Sequence, residues 1–239
     1  MALILNIDTS TEVCSVALAQ DGKIICIREN TTGQNHSTLL TTFISELLDE
    51  ASIAVSQLDA VAISGGPGSY TGLRIAVSVA KGICYGASLP LIAISSLESM
   101  ANEVIKSHLH HYSTPENKVL LCPMLDARRM EVYSAFYDHQ GVQVREIQAD
   151  IIDNSSFSML LENSKILFFG NGAEKCKDAI THPNAVFVND ILTLASYLVP
   201  LSERAFAAKS FVDVAYYEPL YLKDFVAVAP VKNIFHSPK

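Results

Sequence analysis

The sequence predicts an α/β protein built as two halves, each a mixed sheet with helices on its faces. Three observations carry that prediction. Three short apolar runs open the chain, two of them joined by Asp21-Gly22, which is hairpin-turn chemistry. The order of three strands followed by alternating helix and strand, βββαβα, recurs after residue 117 with no visible sequence repeat. Between the two stretches lies a polar segment, His108 to Asn117 with Pro115 inside it, that has no apolar period and reads as a linker. Antiparallel strands followed by crossover units give mixed sheets covered by helices, and the linker divides the chain into 1–107 and 108–239.

Taken in order, residues 2–8, 13–20 and 23–28 are strands. Residues 36–53 carry Leu39, Leu40, Phe43, Ile44, Leu47, Leu48 and Ala51 at helical spacing, with Ser37 placed to cap the helix. A buried strand at 58–64 leads into the loop Gly65 to Gly72, a helix from Leu73 to Ala87 and a strand at 90–94. The helix at 96–107 opens on Ser95-Ser96-Leu97-Glu98, a capping box. Beyond the linker, strands are expected at 118–125, 130–138 and 142–148, a helix from about 155, a strand at 165–169, a helix from about 172 and a strand at 185–188. The last helix starts near 190 and is interrupted at Pro200. Periodicity does not say where Tyr216 to Lys223 packs.

Composition narrows the function. A chain of 239 residues needs no disulfide or metal staple to build a core. Charged residues are only 18%, against roughly 25% in an ordinary soluble protein, which leaves apolar surface for a partner. A formal charge of -8 opposes unaided binding to phosphate backbones or anionic membranes. The apolar stretch from Leu73 to Ile94 contains Arg74, Lys81 and Pro90 and is no membrane span, and the first residues offer no signal-peptide core, so a cytoplasmic protein is expected. Five cysteines without C-x-x-C spacing read as reduced packing residues.

Chemistry gathers at a few places. Gly65-Gly66-Pro67-Gly68-Ser69-Tyr70-Thr71-Gly72 stands between a strand and a helix, where backbone N–H groups face an anion, or where a tight turn is simply needed. It is neither a Walker A loop nor G-x-G-x-x-G. Asp8-Thr9-Ser10-Thr11 and Asp126-Ala127-Arg128-Arg129 end the first strand of each half, so one carboxylate per half faces a cleft suited to a metal-bound nucleotide; turn-capping is the plainer role. No nucleophile motif surrounds Ser69, no H-E-x-x-H occurs, and His108, His110 and His111 suit a solvated linker better than a metal. The helix from Leu73 to Ala87 is apolar nearly all round apart from Arg74 and Lys81; its second side needs either helix 36–53 or another subunit.

Five segments together resemble one family. They are Ile7 to Leu18, Gly66 to Arg74, Ser95 to Glu98, Leu125 to Tyr133 and Pro219 to Lys223, and they resemble the bacterial TsaB family, also called YeaZ. That resemblance implies a duplicated actin-like, ribonuclease-H-like (ASKHA) fold and a part in making N6-threonylcarbamoyladenosine at position 37 of tRNAs. In that family the protein is the non-catalytic paralogue of the transferase TsaD, and the ATPase TsaE acts with the pair. Ser96 and Met100 stand where the paralogue has two metal-binding histidines, and Gly170-Asn171-Gly172 stands for its glycine-rich adenosine segment. Asp8-Thr9-Ser10 lacks the glycine with which sugar kinases of the superfamily approach phosphate.

The resulting expectation is a scaffold that activates the transferase, with no cofactor or metal of its own, no membrane, contact with tRNA only through the complex, and a homodimer when alone. Leu39, Phe43, Leu47, Arg74, Ala76, Val77, Ala80, Lys81, Gly82 and Cys84 are expected to form the partner face. Asp8, Thr9, Ser10, Gly66, Gly68, Ser69, Asp126, Gly170 and Gly172 form a degenerate nucleotide or anion site. The alternative is an actin-like ATPase or small-molecule kinase using Asp8, Asp126 and the Gly65–Gly72 loop.

Overall fold

A computed structural model describes residues 2–33, 35–112 and 119–223. The three N-terminal runs are β1 (Leu3–Asp8), β2 (Cys14–Gln20) and β3 (Lys23–Asn30). They are followed by α1 (His36–Ala51), β4 (Ala60–Ser64), α2 (Tyr70–Ala87), β5 (Leu91–Ile94) and α3 (Ser96–Ser107). The second stretch supplies β6 (Val119–Asp126), β7 (Glu131–Tyr137), β8 (Gln143–Ile151), α4 (Ser158–Leu161), β9 (Lys165–Phe169), β10 (Ala185–Val188) and α5 (Ala195–Ala207). Strand order is β3-β2-β1-β4-β5 in one sheet and β8-β7-β6-β9-β10 in the other, antiparallel at the hairpins and parallel at the crossovers. The same order twice is the duplicated actin-like, ribonuclease-H-like fold.

The central strands of each sheet are buried on both faces, while the edge strands β3 and β8 are largely exposed, and period-2 alternation assigns the buried residues. Leu5 and Ile7 face α1 and α2, while Ile4, Ala60 and Ala62 face Leu198 and Leu201 of α5. In the second sheet Leu121 and Leu125 face α3, while Cys122 and Met124 face Leu161 and Cys176. The helices therefore cross the linker. α3, from the first half of the chain, covers the second sheet, and α5, from the last third, covers the first. The polar linker separates the sheets in sequence, but not their coverings.

Several boundaries differ from the sequence reading. α1 begins at His36 after Asn35, which is left-handed and makes no side-chain cap, so Ser37 lies inside the helix. α2 begins at Tyr70, capped by Ser69, whose Oγ accepts the Gly72 N–H at 3.2 Å; Gly72 is helical, not loop. Of the helix expected from 172 only a 3-10 turn, Glu174–Cys176, is present, and α4 is a single turn. α5 runs through Pro200 without interruption, because Leu198, Val199 and Leu201 bury on the first sheet and Ser202 Oγ donates to Asn6 Oδ1 at 2.7 Å inside it. That packing offsets the one backbone hydrogen bond the proline removes. At Ser95 the cap forms as expected, its Oγ accepting the Glu98 N–H at 3.4 Å. Pro115 and half of the polar linker, residues 113–117, lie outside the described residues.

The segment after α5 returns to the first half. Val212 bridges to Leu91, Lys81 Nζ donates to Ala215 O at 2.9 Å, and the Leu220 N–H donates to Gly65 O at 2.9 Å. It forms a strap from β5 across the glycine loop.

Candidate functional site

The two aspartates expected to face one another lie in unlike surroundings. Asp8, at the end of β1, is fully buried; its Oδ1 accepts the Ser10 N–H (2.8 Å) and the Ser10 hydroxyl (2.7 Å), and among the described residues its Oδ2 has no hydrogen-bond partner. Burial pushes this carboxyl above its usual range against the opposing pull of Ser10. Asp126, at the end of β6, is half exposed and ion-paired with Lys175, and its Oδ1 also accepts the Arg128 N–H at 2.9 Å. Turn-capping, the plainer role, is what both carboxylates perform.

The glycine loop is closed on two sides. Thr9 Oγ1 donates to Gly72 O at 2.7 Å, and the Ser69 N–H donates to Ser10 O at 2.6 Å. A Cβ at Gly72 would stand 2.0 Å from Thr9 O, and one at Gly68 2.3 Å from Ser10 O, so these glycines admit the neighbouring backbone. From outside, the strap covers the rest: a Cβ at Gly65 would meet the Tyr217 hydroxyl at 2.4 Å, and one at Gly66 the Leu220 carbonyl at 2.9 Å. A phosphate needs free donors and room. The N–H groups of Gly65, Ser69 and Gly72 already donate within the protein, and the glycine faces are occupied.

Gly170 and Gly172 are likewise filled by protein. Gly170, with φ of 102°, would place a Cβ 2.4 Å from Met124 O and 2.5 Å from the Met100 methyl; one at Gly172 would lie 2.8 Å from the Leu125 carbonyl carbon. Met100 is fully buried, and Ser96 Oγ shares a 2.7 Å hydrogen bond with Ser64 Oγ. Among the described residues no three His, Cys, Asp or Glu side chains converge as metal ligands would. Burial pushes the Cys14 and Cys84 thiols up to about 11, which keeps them protonated at neutral pH.

Contacts that periodicity could not reveal join the halves here. Asn171 accepts the Asp126 N–H at 3.0 Å and donates to Glu12 at 3.3 Å, and Thr11 and Thr193 share a 2.7 Å hydroxyl contact. Within the second half, Lys175 Nζ also donates to Glu131 O at 2.7 Å, and Lys223 pairs with Glu131. Glu12, Asp126, Glu131 and Lys223 stand in the segments that carry the family resemblance and Asn171 in the glycine segment, whereas nothing in the sequence marked Thr193 or Lys175.

The expected partner face divides in two. Leu47, Ala76, Val77, Ala80 and Cys84 are buried in the core formed with their own sheet, so these five offer no surface; the apolar circumference of α2 is largely accounted for by β4 and α1. Arg74 and Gly82 are exposed, and Leu39, Phe43 and Lys81 are half-buried. With Ser78, Tyr85 and Gly86, Gly82 lies on the outer face of α2, and a Cβ at Gly82 or Gly86 would meet no atom of the described residues within 4 Å.

Comparison with known proteins agrees with this architecture. The family model described as TsaD, tRNA N6-adenosine threonylcarbamoyltransferase, matches residues 27–230. The tRNA threonylcarbamoyladenosine biosynthesis protein TsaB of Haemophilus influenzae is 31% identical over 93% of this chain and 94% of its own length; that of Escherichia coli is 30% identical over 94% and 96%. Among solved structures, YeaZ from Pseudomonas aeruginosa superposes with a TM-score of 0.79 at 28% identity, covering 93% of this chain and all of that one. A second P. aeruginosa protein, described as similar to the peptidase YeaZ, gives 0.80 at 27% identity. A duplicated fold, a glycine loop filled by its own backbone and relatives matched from end to end converge: the chain belongs to the TsaB family, also called YeaZ.

Proposed function

We propose that the chain is a non-catalytic subunit that binds and activates the TsaD-type transferase in forming N6-threonylcarbamoyladenosine at tRNA position 37. The TsaE-type ATPase joins the assembly, and the chain pairs with itself when the transferase is absent. One observation carries the non-catalytic part: the places where a nucleotide and metal would sit hold Met100 against Gly170 and Thr9 and Ser10 against Gly72 and Gly68. The exposed face of α2, with half-buried Leu39 and Phe43 of α1 beside it, is the surface this reading assigns to the partner.

Reconstitution of the modification from transferase, ATPase and tRNA, with and without this chain, tests the reading. Product is expected only when the chain is present. Undiminished product without it overturns the proposal. Calorimetry of the isolated chain with ATP and Mg²⁺ is expected to show no binding; micromolar affinity with turnover would favour an ATPase or small-molecule kinase instead.

A further inference from the structure

Arg128 and Arg129 lie in the β6–β7 loop with φ of 70° and 51°, two successive left-handed residues, in a turn closed by the Glu131 N–H on Arg128 O. Neither arginine is glycine-like, and each costs backbone energy to hold there. Both side chains are exposed, and among the described residues neither has an ion-pair partner. A charged pair kept at a strained, solvent-facing tip, in a chain of net charge -8, calls for an anionic ligand.

Its surroundings fit that ligand. Lys223 and Lys175 neutralise Glu131 and Asp126 at the base of the hairpin, so the acidic groups nearest the tip do not cancel the arginines. Lys223 Nζ also reaches Ala127 O at 3.4 Å and thereby ties the tip to the strap. Where the strap passes the first turn of α2, Arg74 of that helix lies over the Tyr70 ring at 4.3 Å and donates to the Tyr221 hydroxyl of the strap at 3.4 Å. Cations interleaved with tyrosine rings suit a nucleic-acid backbone better than an acidic protein patch, because the rings add faces for base or ribose stacking.

We propose that the β6–β7 tip and the adjoining strap form a ridge that contacts RNA phosphates when the chain sits in its complex. Arg128 and Arg129 hold phosphates, and Tyr221 on the strap, outside the transferase face of α2, supplies a ring for stacking. This rests on the tRNA-modification reading above and adds which surface of this subunit meets the RNA. Two arginines are too few for tight binding by the isolated chain, whose overall charge repels RNA, so the ridge acts only beside the partner.

The double variant Arg128→Asn/Arg129→Gly separates charge from folding, since Asn and Gly tolerate a left-handed backbone better than Arg. Assembled with the transferase, wild-type and variant complexes are compared by light scattering, thermal unfolding and tRNA-transcript binding by anisotropy across a salt series. The variant is expected to unfold at higher temperature, assemble equally, bind tRNA about 10-fold more weakly and lower the slope of log K against log salt by about 2. Unchanged affinity and slope overturn the proposal. Lost assembly overturns it in favour of an acidic protein surface. A wild-type chain whose addition changes neither tRNA binding nor modification overturns the tRNA reading itself, and the ridge with it.

Discussion

Asp8 places a carboxyl group where no solvent reaches, and that burial holds its proton more tightly in the folded chain than in the unfolded one. Such a group favours the fold below its ordinary value of 3.8, and that contribution is lost as pH rises through its raised folded value. Asp8→Asn keeps the acceptor for Ser10 and removes the buried charge. It is expected to raise the unfolding temperature at neutral pH, with the gain shrinking as pH falls through the raised value; a gain that does not depend on pH would show that the charge is not the cause. Gly170→Ala puts a methyl against Met124 O and strains a φ of 102°, at a cost of about 3 kcal/mol in urea unfolding. Adding Met100→Ala is expected to lower stability further, because it empties a fully buried site while the closer clash, with the Met124 carbonyl, remains. At this scale the sequence named the residues and not their surroundings. Gly68, Gly72, Asp8 and Asp126 were legible as special positions, but whether a glycine admits a phosphate or a carbonyl depends on a segment some 60 residues away.

Among the elements, α2 shows best what a one-dimensional pattern conveys. Its apolar circumference was legible and its N-terminal turn was not, since Tyr70-Thr71-Gly72 reads as loop until Ser69 is seen capping it. The pattern also could not rank its faces. Ala80 is fully buried and Gly82, two residues on, is open to solvent. Ala80→Glu, which the sequence alone offers as an interface probe, buries an unpaired carboxylate and is expected to lose several kcal/mol of stability and to show a collapsed circular dichroism spectrum. Gly82→Glu is the informative change. It is expected to fold normally and, by placing charge on the proposed partner face, to abolish both self-association and transferase binding in light scattering; a folded Gly82→Glu that still forms both assemblies moves the interface off α2. Pro200 was misleading for the opposite reason: local chemistry argued for a break, and the apolar contacts of Leu198 and Leu201 with the first sheet prevailed.

At the scale of the whole molecule the strand order was legible, because three strands followed by crossovers admit few topologies, but the exchange of helices between sheets was not, because periodicity gives a helix an apolar face and no address. That exchange makes the halves dependent on one another. Residues 1–107 expressed alone leave Ile4, Ala62 and Ile92 without Leu198 and Leu201, and residues 108–239 leave Leu121, Leu125 and Leu167 without α3. Neither fragment is expected to give a cooperative melt, whereas the intact chain unfolds in one transition; two independent transitions would show that each half is self-sufficient. The same exchange sets a timetable for synthesis. As the chain leaves the ribosome, the first sheet has all five strands by Ile94, yet the helix that closes its second face ends at Ala207, more than one hundred residues later. For that interval an apolar sheet surface stands open to whatever meets it, so a translational pause or a nascent-chain chaperone acting between those two points governs how much of the newly made protein escapes aggregation.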